Sequence, residues 1–224
     1  MTEGFVVSHL EVGMAQNFCT IFTAPDGSCA VVDPAFEVDR VVRAIAEKKG
    51  RVVAILVTHT HLDHIEGVEE LARLTGAPAY VGAGELANLR EHAPTADLRT
   101  IGDNDKIPIG QLSISALATP GHTVDARSYY DGAHVATGDT LFVGGVGRTD
   151  FPGGDPATLY RSLCKLGELP EETRVFPGHD YGATPTSTIG WEKSANPYLR
   201  CASAAEFIAL RTGARPPRPT RGPR

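Results

Sequence analysis

The most informative stretch of this sequence is Thr58-His59-Thr60-His61-Leu62-Asp63-His64, which places three imidazoles and one carboxylate within six residues. Imidazole is the commonest metal ligand in proteins, and carboxylate oxygen is its usual complement. The preceding stretch, Arg51–Val57, is apolar and rich in β-branched residues, which predicts a buried strand. The polar residues therefore follow the carboxyl end of a strand, where open α/β sheets place their ligands. This context favours a metal-binding loop over a solvated polar turn.

Three more candidate ligands follow one common arrangement, in which a short strand is succeeded by a glycine and then by a His or an Asp. These three pairs are Gly121-His122, Gly138-Asp139 and Gly178-His179. A glycine lets the backbone turn sharply and pass close to an ion. Together with the first stretch, they predict one shared metal cluster with seven ligands: His59, His61, Asp63, His64, His122, Asp139 and His179.

The order and spacing of these seven residues resemble the ligand set of the metallo-β-lactamase fold, over about residues 4 to 200. The resemblance implies an α/β (α+β) protein built as a four-layer αββα sandwich. It also implies a division of the ligands between two metal ions. His59, His61 and His122 would hold the first ion, Asp63, His64 and His179 would hold the second, and Asp139 would bridge the two.

The same resemblance gives a role to Asp33, which ends the early apolar run Val31-Val32-Asp33-Pro34. An Asp at this place in the family lies beneath the metal loop and supports a ligand. Metal-bound histidines commonly donate their free N–H to such a partner. The alternative is that Asp33 only forms a turn before Pro34.

Two subfamilies with different chemistry match the second half of the chain. The run Thr137–Asp155 closely resembles small glyoxalase II-like hydrolases, which implies two divalent metal ions, zinc or a zinc/iron mixture. Such a thioesterase would hydrolyse a hydroxyacyl thioester with a hydroxide bridging the ions, and Asp63 and Asp139 would be its catalytic carboxylates. A lactonase, or another hydrolase of this fold, is a further alternative.

The second subfamily is that of the persulfide dioxygenases, which Gly147–Phe151 and His179–Tyr181 resemble. These enzymes bind one Fe(II) through two histidines and one carboxylate, which here would be His59, His122 and Asp139. Such a site leaves positions open for oxygen and a thiol substrate. The reaction implied is the oxidation of glutathione persulfide to sulfite.

Two residues outside the metal set are predicted to bind substrate. Arg148 follows a glycine-rich turn near Asp139, and its guanidinium could hold a substrate carboxylate bidentately. The alternative for Arg148 is an ion pair with Asp150 or Asp155. Tyr181 lies two residues after His179, so its hydroxyl could reach the substrate, although packing explains its place equally well.

Three departures from the family pattern bear on the substrate. Ile65-Glu66-Gly67 stands where classical glyoxalase II has two glycines, and Val124–Tyr129 stands where Pro-Gly commonly follows the ligand His. Residues 198–224 are also too few to form the helical domain with which classical glyoxalase II grips glutathione. The expected partner is therefore a small thioester or persulfide, with a glutathione-derived thiol as one candidate.

Composition limits the remaining possibilities. The 224 residues predict one domain over residues 1–210, and Trp191, the only tryptophan, is predicted to lie in the core. The segment 211–224 holds five arginines and four prolines and no acid, which predicts a disordered tail.

The net charge of −6 argues against nucleic-acid binding. No stretch approaches the roughly 20 apolar residues of a membrane span, and no signal peptide is recognisable, so a cytoplasmic location is expected. Homodimer formation stays open.

Hydrophobic periodicity predicts five helices at approximate positions. Apolar residues recur at helical spacing, or lie between turn signals, at 38–46, 68–74, 83–91, 157–166 and 203–210. Strands are predicted at 5–10, 18–23 and 28–33, at the run that ends at Val57, and repeatedly in the second half.

Overall fold

The computed structural model describes residues 4–213, which form two six-stranded sheets and seven α-helices. The strands of the first sheet lie side by side in chain order, with antiparallel pairing at the start and parallel pairing from the third strand onwards. Their bounds are Val6–Val12 (β1), Asn17–Thr23 (β2), Ser28–Val32 (β3), Arg51–Leu56 (β4), Ala79–Val81 (β5) and Leu98–Thr100 (β6).

The second sheet has the order β14-β13-β10-β9-β8-β7, and only its β10–β13 pair is parallel. A separate two-stranded hairpin, β11–β12, follows β10. The bounds are Lys106–Ile109 (β7), Leu112–Ala118 (β8), Arg127–Tyr130 (β9), His134–Gly138 (β10), Leu141–Phe142 (β11), Gly145–Val146 (β12), Arg174–Pro177 (β13) and Ser187–Thr188 (β14).

The helices agree with four of the five predicted positions to within about two residues, and the region 83–91 is split into a 3-10 turn, Ala83–Glu85, and a helix. Among residues 4–213, none of the helices is long and apolar enough to cross a bilayer. Their bounds are Val38–Glu47 (α1), Leu62–Ile65 (α2), Val68–Thr75 (α3), Leu86–His92 (α4), Pro156–Gly167 (α5), Ile189–Ala195 (α6) and Ala204–Thr212 (α7).

The last helix corrects the predicted start of the tail. Helix α7 continues through Thr212, so Arg211 and Thr212 are helical, and the boundary at 210 was wrong by two residues. Its first turn is capped by the Ser203 hydroxyl, which accepts a hydrogen bond from the Glu206 amide at 3.2 Å. Residues 214–224, the rest of the predicted tail, lie outside the described residues.

Three hydrophobic clusters show that helices cover the outer face of each sheet. Strand β3 illustrates the alternation, because Cys29 and Val31 pack with α1 and α3 whereas Ala30 and Val32 face the second sheet. The third cluster joins the outer face of the second sheet to α5, α6 and α7. The layers are therefore helix, sheet, sheet and helix, which confirms the predicted αββα sandwich.

The two sheets meet at the edge where the candidate ligands begin. The Phe18 amide at the start of β2 donates to the Gly178 carbonyl at 2.8 Å, and Asn17 pairs with His179 in an isolated β-bridge. Strands β4, β8, β10 and β13 all deliver their carboxyl ends to this edge. Topology alone therefore brings together four loops that are distant in sequence.

Candidate metal centre

The seven predicted ligands form two adjacent groups of three with Asp139 between them. The first group consists of His59 and His61 from the loop after β4 and His122 from the loop after β8. Nδ1 of His61 lies 3.1 Å from Nε2 of His59 and 3.0 Å from Nε2 of His122. Two nitrogens bound to one ion at about 2.0–2.1 Å lie roughly 2.9–3.4 Å apart, so this spacing suits a shared metal ion.

The second group consists of Asp63 and His64 from the helix that follows the metal loop, and His179 from the loop after β13. Nε2 of His64 lies 3.2 Å from Nε2 of His179. Oδ2 of Asp63 lies 3.4 Å from the His179 nitrogen and 3.8 Å from the His64 nitrogen. The second predicted ligand set is therefore also brought together, with one carboxylate beside two imidazoles.

Asp139 faces both groups with different oxygens. Its Oδ1 lies 3.3 Å from Nε2 of His64, and its Oδ2 lies 3.6 Å from Nε2 of His122 and 3.5 Å from Nε2 of His179. The preceding Gly138 has φ of 50°, and a Cβ there would clash with the Thr58 side chain. Glycine is therefore needed to place Asp139 against the metal loop.

Hydrogen bonds on the outer side of the rings fix which nitrogens face inwards. Nδ1 of His122 donates to the Arg148 carbonyl at 2.7 Å, and Nδ1 of His179 donates to the Ala15 carbonyl at 3.0 Å. Nδ1 of His59 donates at 3.0 Å to the hydroxyl of the adjacent Thr58, which itself donates to a carboxylate. In the neutral rings, Nε2 of all three histidines therefore carries a lone pair.

These lone pairs test whether the residues fit a metal ion. Nδ1 of His61 faces the lone pairs of both His59 and His122, and a single hydrogen on His61 can satisfy only one of them well. Oδ1 of Asp139 is buried and has no hydrogen-bond partner among the described residues. A bound cation would satisfy all of these acceptors at once, so the donor set fits the implied metal.

Asp33 lies directly behind the metal loop, at the end of β3. Its Oδ1 accepts the Thr58 amide at 2.8 Å, and its Oδ2 accepts the Thr58 hydroxyl at 2.6 Å and Nδ1 of His64 at 3.0 Å. Its φ of 48° is unusual for a residue other than glycine. Asp33, His59 and His64 also form a third close group. We assign Asp33 to support of the ligands, because its oxygens are engaged behind the loop, whereas the turn-only alternative leaves these contacts unexplained.

Burial keeps the first group of histidines neutral. It lowers the pKa of His59 well below its usual value, and the charge of His64 adds to this effect. Burial likewise lowers the pKa of His61 and of His122. Neutral imidazole is the form that binds metal, so this group is ready to accept an ion at neutral pH.

The second group and the central carboxylate form a charged pair. Burial alone would lower the pKa of His64, but the charge of Asp139, together with the hydrogen bond and charge of Asp33, raises it well above its usual value. Burial alone would raise the pKa of Asp139, but the charge of His64, followed by the neighbouring His179 imidazole, holds it well below its usual value. Asp139 is therefore ionised and available to face a cation.

An open cleft of about 590 Å³ lies above the ligands and contains both predicted substrate residues. Arg148 forms a bidentate ion pair with Asp150, both bonds being 2.7 Å, and its guanidinium lies 3.7 Å from the ring centre of Phe151. Arg148 therefore forms the ion pair with Asp150 that was the alternative to substrate binding. Tyr181 is 58% exposed and stacks on His179 with ring centres 4.6 Å apart, so its ring does pack while its edge borders the cleft.

Two further residues of the site were missed by the sequence reasoning. Asn17 is buried and donates through Nδ2 to the Asp63 carbonyl at 2.8 Å and to Oδ2 of Asp63 at 3.0 Å. Arg211 reaches the cleft from the last turn of α7, and its Nε donates to the Gly147 carbonyl at 3.0 Å. Neither residue lies in a recognisable motif, and only the tertiary structure brings them to the metal centre.

Comparisons with known proteins agree with this geometry. The family model of the metallo-beta-lactamase superfamily matches residues 12–179. A hydroxyacylglutathione hydrolase from Methylobacillus flagellatus is 42% identical over 155 residues, covering 69% of this chain and 59% of the relative. The chain spans about half the length of the first curated relatives that it matches, 49% and 50%.

Two solved structures are similar over most of the chain. The crystal structure of ETHE1 from Myxococcus xanthus has a TM-score of 0.84 and 34% identity, and covers 96% of this chain and 93% of that one. The crystal structure of TTHA1623 in a di-iron-bound form has a TM-score of 0.75 and 32% identity, and covers 86% and 100%. The shared fold, the matched family model and the paired ligand groups place this chain in the metallo-beta-lactamase superfamily.

Proposed function

We propose that this protein is a metal-dependent hydrolase of the glyoxalase II-like type, which cleaves hydroxyacyl thioesters. The observation that carries the proposal is the position of Asp139 between the two groups of ligands. Its Oδ2 lies 3.6 Å from His122 of the first group and 3.5 Å from His179 of the second, and its Oδ1 lies 3.3 Å from His64 of the second. One carboxylate in that position can serve two ions, zinc or a zinc/iron mixture. Two bound divalent ions supply a hydroxide at neutral pH and polarise the carbonyl of the substrate.

The lining of the cleft supports attack by water rather than by a side chain. None of the described residues that line it is a Ser, Thr, Cys or Lys, so it offers no aliphatic hydroxyl, thiol or amine as a nucleophile. Asp63 is partly exposed, with 37% of its side chain accessible, and Asn17 donates a hydrogen bond to its Oδ2. We assign Asp63 to proton transfer during hydrolysis, because it is a carboxylate at the floor of an open cleft.

The walls of the cleft indicate a substrate with an apolar part and an anionic part. Phe142 and Phe151 supply apolar surface, and Phe151 lies edge-on to His61 with ring centres 5.6 Å apart. Arg148 and Arg211 supply positive charge on the same cleft. A thioester whose thiol part carries a carboxylate matches this arrangement, and the hydroxyacylglutathione hydrolase relative is named for such a substrate.

Arg211 is better placed than Arg148 to bind that carboxylate. Two of the donor nitrogens of Arg148 are engaged by Asp150. Arg211 uses only Nε, on the Gly147 carbonyl, and its two terminal nitrogens have no hydrogen-bond partner within residues 4–213. A guanidinium with free terminal nitrogens can bind a carboxylate directly. We therefore propose Arg211 as the main anchor of the thiol part, with Arg148 and Tyr181 beside it.

Metal content and activity, measured on the same protein, test the proposal. The protein is purified anaerobically, its metals are determined by element and stoichiometry, and hydrolysis of a hydroxyacylglutathione thioester is followed. We expect close to two ions per chain and metal-dependent hydrolysis. A protein with two ions that cleaves no thioester would contradict the proposed substrate class.

A persulfide dioxygenase is the second candidate, because one segment of the cleft wall resembles these enzymes. The Gly147–Phe151 segment resembles the dioxygenases, and its Arg148 carbonyl accepts the hydrogen bond from Nδ1 of His122. His122 belongs to the set that would hold a single iron, together with His59 and Asp139. About one iron per chain, with oxygen uptake in the presence of a persulfide and no thioester hydrolysis, would decide for this candidate.

A further inference from the structure

A buried carboxylate that belongs to neither ligand group lies beside the metal loop. Glu85 ends the 3-10 turn after β5 and is only 2% exposed. Its Oε2 accepts a hydrogen bond from the Thr60 hydroxyl, and its Oε1 accepts the Asp125 amide at 3.3 Å. A buried carboxylate is costly unless its oxygens are hydrogen-bonded, so both contacts are needed to keep it there.

The two partners of Glu85 lie on the two loops that carry the first ligand group. Thr60 stands between His59 and His61, and its own side chain is buried. Asp125 lies three residues after His122. The Glu85 carboxylate therefore connects the loop that holds two of these histidines to the loop that holds the third.

A second set of contacts fixes Asp125 itself. Its Oδ2 accepts the Gly84 amide at 2.9 Å, and its Oδ1 accepts Nη1 of Arg127 at 2.5 Å. Arg127 is buried and donates to the Ile101 carbonyl, while its amide donates to the Thr58 carbonyl at 2.8 Å. This segment contains the residues that depart from the common Pro-Gly continuation, so the contacts belong to this chain's own sequence.

We propose that Glu85 is a positioning residue for the first metal ion. It acts through Thr60 and Asp125, which set the separation of the two loops and hence the position of His122 against the other two histidines. Asp33 has a comparable place behind the second group, where it bonds His64 directly, and it also reaches His59 through the Thr58 hydroxyl. Loss of such an outer partner typically lowers metal affinity about 10- to 100-fold.

This assignment predicts that the link through Glu85 affects one ion and not the other. The inference rests on the proposed metal centre but not on the thioester substrate, because the measured quantity is zinc affinity. Two single-site backgrounds isolate the ions: H64A removes a ligand of the second group, and H61A removes a ligand of the first. Thr60→Val is then added to each background, since valine keeps the shape of threonine and removes only the hydroxyl.

Zinc affinity is measured by competition with a chromophoric chelator. In the H64A background, Thr60→Val is expected to weaken zinc binding about 10- to 100-fold, whereas Thr60→Ser, which keeps the hydroxyl, restores the affinity. In the H61A background, Thr60→Val is expected to leave the affinity unchanged. Glu85→Gln, tested in the same two backgrounds, is expected to weaken zinc binding only in the H64A background, where the first site is measured.

Two results would overturn the proposal. Unchanged affinity of the first ion in both Thr60→Val and Glu85→Gln would show that the link does not position the ligands. Equal weakening in both backgrounds would show a general loss of structure. Asp131→Asn is the matched control, since Asp131 is another buried acceptor, at the opposite end of β10 from Asp139. Failure of thioester hydrolysis with normal zinc binding would refute the proposed substrate and leave this inference standing.

Discussion

At the candidate metal centre, hydrogen bonds on the outer side of the histidine rings fix the orientation of each ring. Four of the five ligand histidines have a hydrogen-bond partner behind the ring: a carboxylate for His64, a hydroxyl for His59 and backbone carbonyls for His122 and His179. These partners select the nitrogen that faces the ion. Because each ring has its own partner, mutation of a single ligand should affect one group without displacing the other.

His64→Ala is the substitution that best separates the two candidate functions. It removes a ligand of the second ion, so the protein should bind about one ion per chain instead of two. For the hydrolase, kcat/KM should fall about a thousandfold or more, because an ion's contribution to charge stabilisation is worth several kcal/mol. A dioxygenase with iron on His59, His122 and Asp139 should lose much less. Metal analysis and steady-state kinetics measure both effects.

His134→Ala is the matched control for that experiment. His134 bonds Asp131 at the start of β10 and contacts no ligand of the centre. Its replacement should change neither metal content nor kcat/KM. If His64→Ala still bound two ions with full activity, the assignment of the second ligand group would be wrong.

His9 should make stability depend on pH in the acidic range. Burial, and then the charge of Arg174, lower the pKa of His9 to about 3, and its ring stacks on Phe18 with centres 3.8 Å apart. Because the folded pKa lies below the unfolded value of about 6.5, unfolding takes up a proton between these values. His9 therefore favours the folded state above about pH 6.5, and this contribution is lost as the pH falls towards 3.

Between about pH 6.5 and pH 3, His9 should lower the free energy of unfolding by up to about 1.4 kcal/mol for each pH unit of acidification. Urea unfolding of the wild type and of His9→Gln, from pH 7 down to pH 4, measures the difference in slope. The other buried histidines contribute equally to both proteins and cancel. Parallel stability curves for the two proteins would show that His9 is not held neutral.

The sequence was sufficient to predict which side chains gather at the candidate metal centre, but not the residues that contact them from behind. All seven ligands stand in strand–glycine–ligand patterns or in the His59–His64 run, and the structure brings all seven together. Asn17, Glu85 and Arg211 have no local pattern, because each contacts the site from a different part of the chain. Long-range contacts of this kind depend on the packing of the layers.

Among the secondary-structure elements, helices whose apolar residues recur at regular helical spacing were predicted well, whereas short helices were not. Val38, Val41 and Ile45 of α1 recur at helical spacing and are all buried. Helix α6 has only seven residues and was not predicted. Its Trp191 is 44% exposed, so the predicted core position was wrong, because α6 turns this residue outwards beside Gly144.

Helix α7 also has a functional consequence, because its last turn carries Arg211 into the cleft. Arg211→Met should raise KM for a thioester whose thiol part ends in a carboxylate, about 10-fold or more for a lost charged hydrogen bond of about 1.5–3 kcal/mol. For a thioester with the same acyl group and a carboxamide in place of the carboxylate, KM should change little. The comparison uses 3-mercaptopropionate and 3-mercaptopropanamide thioesters of one hydroxy acid.

Arg161→Met is the control for this prediction, since Arg161 lies on α5, does not line the cleft, and donates a hydrogen bond to Thr158 of its own helix. It should change KM for neither substrate. An equal rise in KM for the carboxylate and the carboxamide thioester in Arg211→Met would mean that Arg211 shapes the cleft without binding the carboxylate.

At the scale of the whole molecule, the metal centre lies across the junction of the two sheets. The loop after β4 of the first sheet supplies His59 and His61 to one group, while His122 comes from the second sheet. The other group likewise combines Asp63 and His64 with His179. The family resemblance implied both sheets, but only the packed structure shows that each ligand group joins them. The cytoplasmic location and the homodimer stay predictions.

Because each ion would join the two sheets, metal removal should destabilise the whole fold. An ion present at a hundred times its dissociation constant stabilises the folded state by about 2.7 kcal/mol for each site. For a protein of this length, that corresponds to a rise in Tm of about 5–10 °C per site. Thermal unfolding followed by circular dichroism, with zinc and with a chelator, measures the shift. The shift should be about half as large in H64A and absent when H61A is combined with H64A. A full shift in the double variant would mean that zinc stabilises the protein from another site.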